Sequence, residues 1–208
     1  SKFFYNKPNI AHVIEKLKKF NLFDKIIVST NCNYISKIAK KLKVEVLIRS
    51  EKLADEKTDT VTVIADVVKK LEKRGIIFNK VFCVYPTSVF IKTKHITLAL
   101  RKLKKKIPYV FSAKKYDHPI FRSFYKNNNN SIVSIFNNNN KKSTQKYRVT
   151  YHDAAQFYLG WKDSWKKKIN IFNTKSNFIL MSKLESHDID DIEDWKIAKS
   201  LWKLNNKI

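Results

Sequence analysis

The chain has 208 residues, 43% of them hydrophobic and 13% aromatic, enough apolar surface for one sizeable core and too much for a disordered chain. No apolar run approaches the ~20 residues that span a bilayer, no signal peptide is visible, and Cys32 with Cys83 makes neither a disulfide framework nor a zinc pattern, so a cytoplasmic protein without a membrane partner is expected. The formal charge of +25 raises nucleic acid as a partner, yet lysine is spread over nearly every segment, which reads as a solvated surface and not as a specific RNA or DNA site.

In chain order, Ile10, Val13, Ile14, Leu17 and Phe20 have helical spacing, with Pro8 just ahead of them. Residues 25–30 read as a short buried strand, and Ile35, Ile38, Ala39 and Leu42 as the next helix. A strand is expected over 44–48, then a helix through Val61, Ile64, Val68 and Leu71 that stops at Gly75. Strand 81–85 follows, then a helix from Ile96 to Lys106 and a strand over 109–113.

Strands alternating with helices of this length predict an α/β fold, three layers deep, around a mostly parallel sheet. One domain over 1–208 is expected, with residues 117–150 as a small β hairpin-like insertion whose tetra-asparagine runs, 127–130 and 137–140, form exposed turns. The tail resumes as strand 156–159, a short helix over 161–167, strand 178–181 and a last helix to about Leu204.

In such a sheet, ligands bind beyond the carboxyl ends of the strands. The side chains there are Ser29, Thr30, Arg49, Pro86, Thr87 and Ser88, a set of hydroxyls and a guanidinium suited to phosphate. For each taken singly, capping and turn chemistry is the competing explanation. Residues 188–194 hold five acids. Asp188 and Asp190, two apart on an extended segment, point to the same side and can share a hard cation such as Mg²⁺, whereas Asp191, Glu193 and Asp194 suit the first turn of a helix. With only Gly75 and Gly160 in the chain, no glycine-rich phosphate cradle exists within these residues.

The segments 23–30, Arg49 with 53–55, Tyr85-Pro86-Thr87, Tyr151-His152-Asp153-Ala154-Ala155-Gln156-Phe157-Tyr158 and 188–195 together resemble the acylneuraminate cytidylyltransferases, over essentially the whole chain. The resemblance implies a nucleotide-diphospho-sugar transferase-like fold. It also implies transfer of CMP from CTP to a nine-carbon 2-keto sugar acid of the pseudaminic acid type, with release of pyrophosphate, for surface glycan or flagellin glycosylation. By the same resemblance Asp188 and Asp190 are the catalytic, Mg²⁺-binding pair, and Ser29, Thr30, Arg49, Thr60, Tyr85, Pro86 and Thr87 serve the nucleotide. Gln145, His152, Asp153 and Gln156 meet the sugar acid, and a homodimer is implied. Sialic, legionaminic and 3-deoxy-octulosonic acids are the alternative substrates, and a basic nucleic-acid-binding protein is the alternative of another class.

The chain departs from the family pattern at Asn31, Ser88-Val89, Ser143 and Ala155, the last standing where glycine is usual. The alternation also opens on a helix, so the expectation is that a first strand and its phosphate loop are lacking, and that these 208 residues alone have little or no activity.

Overall fold

The structure, a computed structural model, describes residues 3–55, 57–136, 143–189 and 191–206. A small hairpin, β1 (Phe3–Phe4) with β2 (Lys7–Pro8), leads into α1 (Asn9–Phe20). Next come β3 (Ile27–Thr30), α2 (Asn33–Lys41) and β4 (Glu45–Ile48), the two strands pairing in parallel. Helix α3 (Thr60–Lys73) begins at Asp59, whose carboxylate caps the Thr62 N–H at 2.7 Å, and ends before Gly75, which takes the left-handed backbone at φ 72°. It is followed by β5 (Lys80–Val84), α4 (Thr93–Lys102), β6 (Tyr109–Lys115) and the hairpin of β7 (Phe124–Lys126) with β8 (Ile132–Ser134). The chain closes with β9 (Tyr151–Trp161), α5 (Lys162–Lys166), β10 (Asn177–Leu180) and α6 (Ile192–Asn206).

Period-2 alternation along the strands sets the layers. Phe82 and Val84 of β5, Val110 of β6, and Phe157 and Leu159 of β9 pack with Val13, Ile96 and Ala198 of helices α1, α4 and α6. Their sequence neighbours Val81, Cys83, Tyr109, Phe111 and Tyr158 turn the other way, onto Val68 of α3 and Trp165 of α5. The same switch occurs on the smaller sheet, where Val28 and Val46 meet α1 and α2 while Ile27 and Leu47 meet α3. Among the described residues β3 pairs only with β4 and β5 only with β9, so the two sheets are held side by side by α1 and α3, each packing on both.

The larger sheet has the order β10-β6-β9-β5, with β9 antiparallel to both neighbours. The sheet is therefore mixed where a mostly parallel one was expected. Among the described residues no α-helix stands between β6 and β9, only the 117–150 insertion with its short 3-10 turns, and a strand that returns without a crossover helix lies antiparallel. The expected helix over 96–106 is shifted to Thr93–Lys102; Pro108 disfavours helical backbone in the residue before it. In the insertion, Asn127–Asn130 do form the turn, with Asn130 left-handed at φ 60°; the second asparagine run lies outside the described residues.

Candidate active site

The tip of β4 reaches back over β3. Arg49 donates through Nη2 to the Ser29 carbonyl at 2.8 Å and through Nε to Ser29 Oγ at 3.4 Å. Its charge is felt by Cys83 on β5, whose thiol is pushed up to about 12 by burial and held back in part by the Arg49 guanidinium. Arg49 thus lies at the junction of the two sheets. Thr30 is buried and accepts from the Cys32 N–H at 3.1 Å, so its hydroxyl shapes the turn into α2.

After β5 the chain makes a tight turn, with Ser88 N–H donating to the Tyr85 carbonyl at 3.0 Å. This turn leaves Pro86 exposed and Thr87 half-buried. The Tyr85 hydroxyl is hydrogen-bonded to Thr60 Oγ1 at the start of α3, and its ring meets Tyr158 edge to face at 5.7 Å. Tyr158 in turn donates to a carboxylate oxygen of Asp153. Burial first, and then the Asp153 carboxylate, hold the Tyr158 hydroxyl far above the ordinary tyrosine range, and burial also raises Tyr85. Both remain protonated donors at neutral pH. Thr60, Tyr85, Tyr158 and Asp153 therefore form a polar line from the expected nucleotide side to the expected sugar side.

Asp153 sits where β9 breaks register. Ala113 of β6 faces Asp153, yet Phe111, two residues away, faces Tyr158, so β9 carries extra residues between them. Ala155 takes the left-handed backbone at φ 49°, and its N–H donates to Asp153 Oδ1 at 3.0 Å. Ser112 fills the gap in the ladder, its Oγ accepting from the N–H groups of Gln156 and Phe157 at 3.1 and 3.2 Å. Gln156 is fully buried. Its backbone carbonyl accepts from Ser88 Oγ at 2.6 Å and Tyr85 N–H at 3.3 Å. Its Nε2 donates to the carbonyls of Ala154 at 3.1 Å and His187 at 3.4 Å. One residue thus ties the β5 rim to the acidic segment.

In that segment Asp191 caps α6, with Oδ1 accepting from the N–H groups of Glu193 and Asp194 at 2.7 and 2.8 Å, and Asp194 Oδ2 accepts back from the Asp191 N–H at 3.3 Å. This reciprocal cap is the helix-starting role read for those acids. His187 Nε2 lies 3.1 Å from the Asp194 carbonyl oxygen, Ile189 packs into the core, and Asp188 is exposed. Asp190 lies outside the described residues, and among the described residues no three His, Cys, Asp or Glu side chains stand together as a metal cage.

Of the residues read as meeting the sugar acid, His152 turns Nδ1 toward the Asp153 carbonyl at 2.8 Å, and its ring lies 4.7 Å from that of Tyr116, tilted by 48°. It borders an open cleft of about 590 Å³ with Lys114, His118 and Arg122. Gln145 is exposed on a single turn near the end of the insertion. Gln156 is enclosed by backbone and presents nothing to a ligand in this structure. Sequence reading did not single out Ser112 or Tyr158 as site residues; a serine inside an apolar strand, and a tyrosine one turn of alternation from an aspartate, were the available signals.

The fold is nucleotidyltransferase-like. A solved structure of CMP:2-keto-3-deoxy-manno-octonic acid synthetase complexed with CTP superposes with a TM-score of 0.69, covering 98% of this chain and 91% of that one at 10% identity. The cytidylyltransferase family profile matches residues 2–206, and the chain belongs to that family. Its relatives include the pseudaminic acid cytidylyltransferase of Campylobacter jejuni, 28% identical over 206 residues, 98% of this chain and 89% of the relative. Another is a two-function protein of Helicobacter pylori, "Pseudaminic acid cytidylyltransferase and UDP-2,4-diacetamido-2,4,6-trideoxy-beta-L-altropyranose hydrolase", 28% identical over 95% of this chain and 38% of the relative. No helix among the described residues is long and apolar enough to cross a membrane.

Proposed function

We propose that the protein transfers CMP from CTP to a nine-carbon 2-keto sugar acid of the pseudaminic acid type. The anomeric hydroxyl oxygen of the sugar acid bonds to the α-phosphorus of CTP, the bond from that phosphorus to the bridging oxygen breaks, and pyrophosphate leaves as the hydroxyl proton is lost. The observation that carries this reading is the match to the cytidylyltransferase family along residues 2–206, joined to whole-length likeness to a pseudaminic acid cytidylyltransferase.

In this reading Arg49, braced on Ser29, meets the phosphates, and Thr60, Tyr85, Pro86 and Thr87 line the nucleotide. His152 and Asp153 face the sugar acid, and the cationic cleft beside His152 suits its carboxylate. Asp188 and Asp190 would hold Mg²⁺, which when bound neutralises charge on the phosphates. Their all-oxygen donor set fits a cation completed by phosphate and water, because Mg²⁺ commonly takes one or two carboxylates and leaves its other positions to such ligands. Residues 1–208 act as one cytidylyltransferase domain in the cytoplasm. The inserted hairpin, with Phe124 61% and Ile132 68% exposed, offers an apolar contact for a second copy.

The test is incubation of the full gene product with CTP, Mg²⁺ and a panel of sugar acids, reading CMP-sugar and pyrophosphate. Equal amounts of both with pseudaminic acid are expected. Product only with sialic, legionaminic or 3-deoxy-octulosonic acid overturns the substrate, and no product with any of them overturns the reaction.

A further inference from the structure

We infer that Gln156 is a positioning residue: its buried amide clasps the acidic segment at His187 to the Tyr85–Ser88 rim and so sets where the neighbouring Asp188 stands. The reaction half of this statement rests on the function proposed above; the structural half does not.

Three observations carry it. Both contacts of Nε2 are to carbonyl oxygens, those of Ala154 and His187, which only the donor end of an amide can satisfy, so the orientation of the side chain is fixed. The same residue's backbone is pinned independently on two sides, by Ser112 and by Tyr85 with Ser88, so the amide projects from a rigid base. Finally, Oε1 is buried with no partner among the described residues. An unsatisfied buried acceptor costs about 1–3 kcal/mol, which an apolar side chain of equal volume would avoid. Packing alone therefore does not call for glutamine here, and the two donations made by Nε2 account for it. One of them is local to the bulge, and the other crosses 31 positions to the acidic segment.

The geometry sets the consequence. His187 is tied at its carbonyl by Gln156 and at its ring to the Asp194 carbonyl, while Ile189, partly buried, packs against the core. Asp188, between them, is thus presented outward from a segment fixed on both sides. Outer partners that orient a ligand-bearing group typically change metal affinity about tenfold to hundredfold when removed.

The experiment uses Gln156→Met, which keeps the volume and every backbone bond while deleting the amide. Amide hydrogen exchange of residues 185–191 is measured without substrate, and cation binding by Mn²⁺ titration followed by electron spin resonance. The expected result is faster exchange in 185–191 and Mn²⁺ binding weakened at least about tenfold, with KM for CTP little changed. Ser112→Ala, which removes one of the two backbone anchors but leaves the amide and the Tyr85–Ser88 side in place, should show both effects in the same direction and more weakly. Unchanged exchange in folded Gln156→Met overturns the clasp. Faster exchange with unchanged Mn²⁺ binding overturns the positioning role. Should Gln156→Met not fold, the unsubstituted protein decides: slow exchange of the Gln156 side-chain amide protons is expected, and fast exchange of both contradicts the clasp. Absence of CMP-sugar product would overturn the proposed function and leave the exchange result standing.

Discussion

The buried hydroxyl of Ser88 donates to the backbone carbonyl of Gln156 at 2.6 Å, joining the turn after β5 to the bulge of β9. Ser88 follows β5 and Gln156 lies on β9, and the two strands are neighbours in register, Val84 facing Phe157. The hydroxyl thus extends the ladder past its last pair and holds the Tyr85–Thr87 turn closed. Ser88→Ala should cost about 1–2 kcal/mol, read as a lower urea midpoint with an unchanged slope, and should raise KM for CTP more than it lowers kcat.

Gly160 lets the Tyr109 and Trp165 rings pack directly against the β9 backbone. A Cβ there would lie 2.5 Å from the Tyr109 ring and 2.8 Å from Trp165 Nε1, two rings already in edge-to-face contact at 4.8 Å. Gly160→Ala should destabilise the protein by about 1–3 kcal/mol. A thermal midpoint that does not fall would show that these rings yield more easily than their packing implies.

Acid should unfold the protein in two stages. His12 and His95 are lowered below the usual histidine range, chiefly by burial, so the stability tied to their neutral forms is complete above pH ~6.5 and is lost as pH falls below it. Burial alone would raise Glu185, but hydrogen bonds from Lys94, Lys92 and His95 hold it down to about 2. Its contribution, on the order of 2–3 kcal/mol, is complete above pH ~4.3 and disappears as pH drops toward 2. Glu185→Gln should lower the midpoint at pH 7 and flatten the curve below pH ~4.3.

The elements were legible because apolar period separates helix from strand: α1, α2, α3, β3, β4 and β5 lie where spacing put them. The direction of β9 was not. Antiparallel pairing depends on what fills the loop before it, and no property of residues 156–159 encodes that. Its true extent, Tyr151–Trp161, was hidden by His152 and Asp153, polar residues that break the apolar pattern ahead of Gln156, where the strand bulges. The sugar-acid role of Gln156 came from the family resemblance alone; what no residue pattern showed is that its backbone is pinned from two sides and its side chain enclosed. Thr30 and Asp191 followed the plainer expectation of turn and cap chemistry.

Arg49 stands where one charge can serve both sheets, braced on Ser29 and close enough to Cys83 to offset part of the rise that burial imposes on its thiol. Arg49→Lys keeps the charge and loses the fork. KM for CTP should rise about tenfold or more, while the thermal midpoint moves little, the side chain being only partly buried. Calorimetric titration with CTP separates this from a folding defect.

In the function proposed above, CMP transfer takes place where the acidic segment meets the rim after β5. Its most direct test is the turnover of Asp188→Asn in the full gene product, measured beside its affinity for CTP. The account predicts turnover reduced at least about a hundredfold, because charge at the cation matters most as pyrophosphate departs, with CTP affinity within about threefold of the unsubstituted protein. Turnover near the original value would place the chemistry elsewhere and contradict the account.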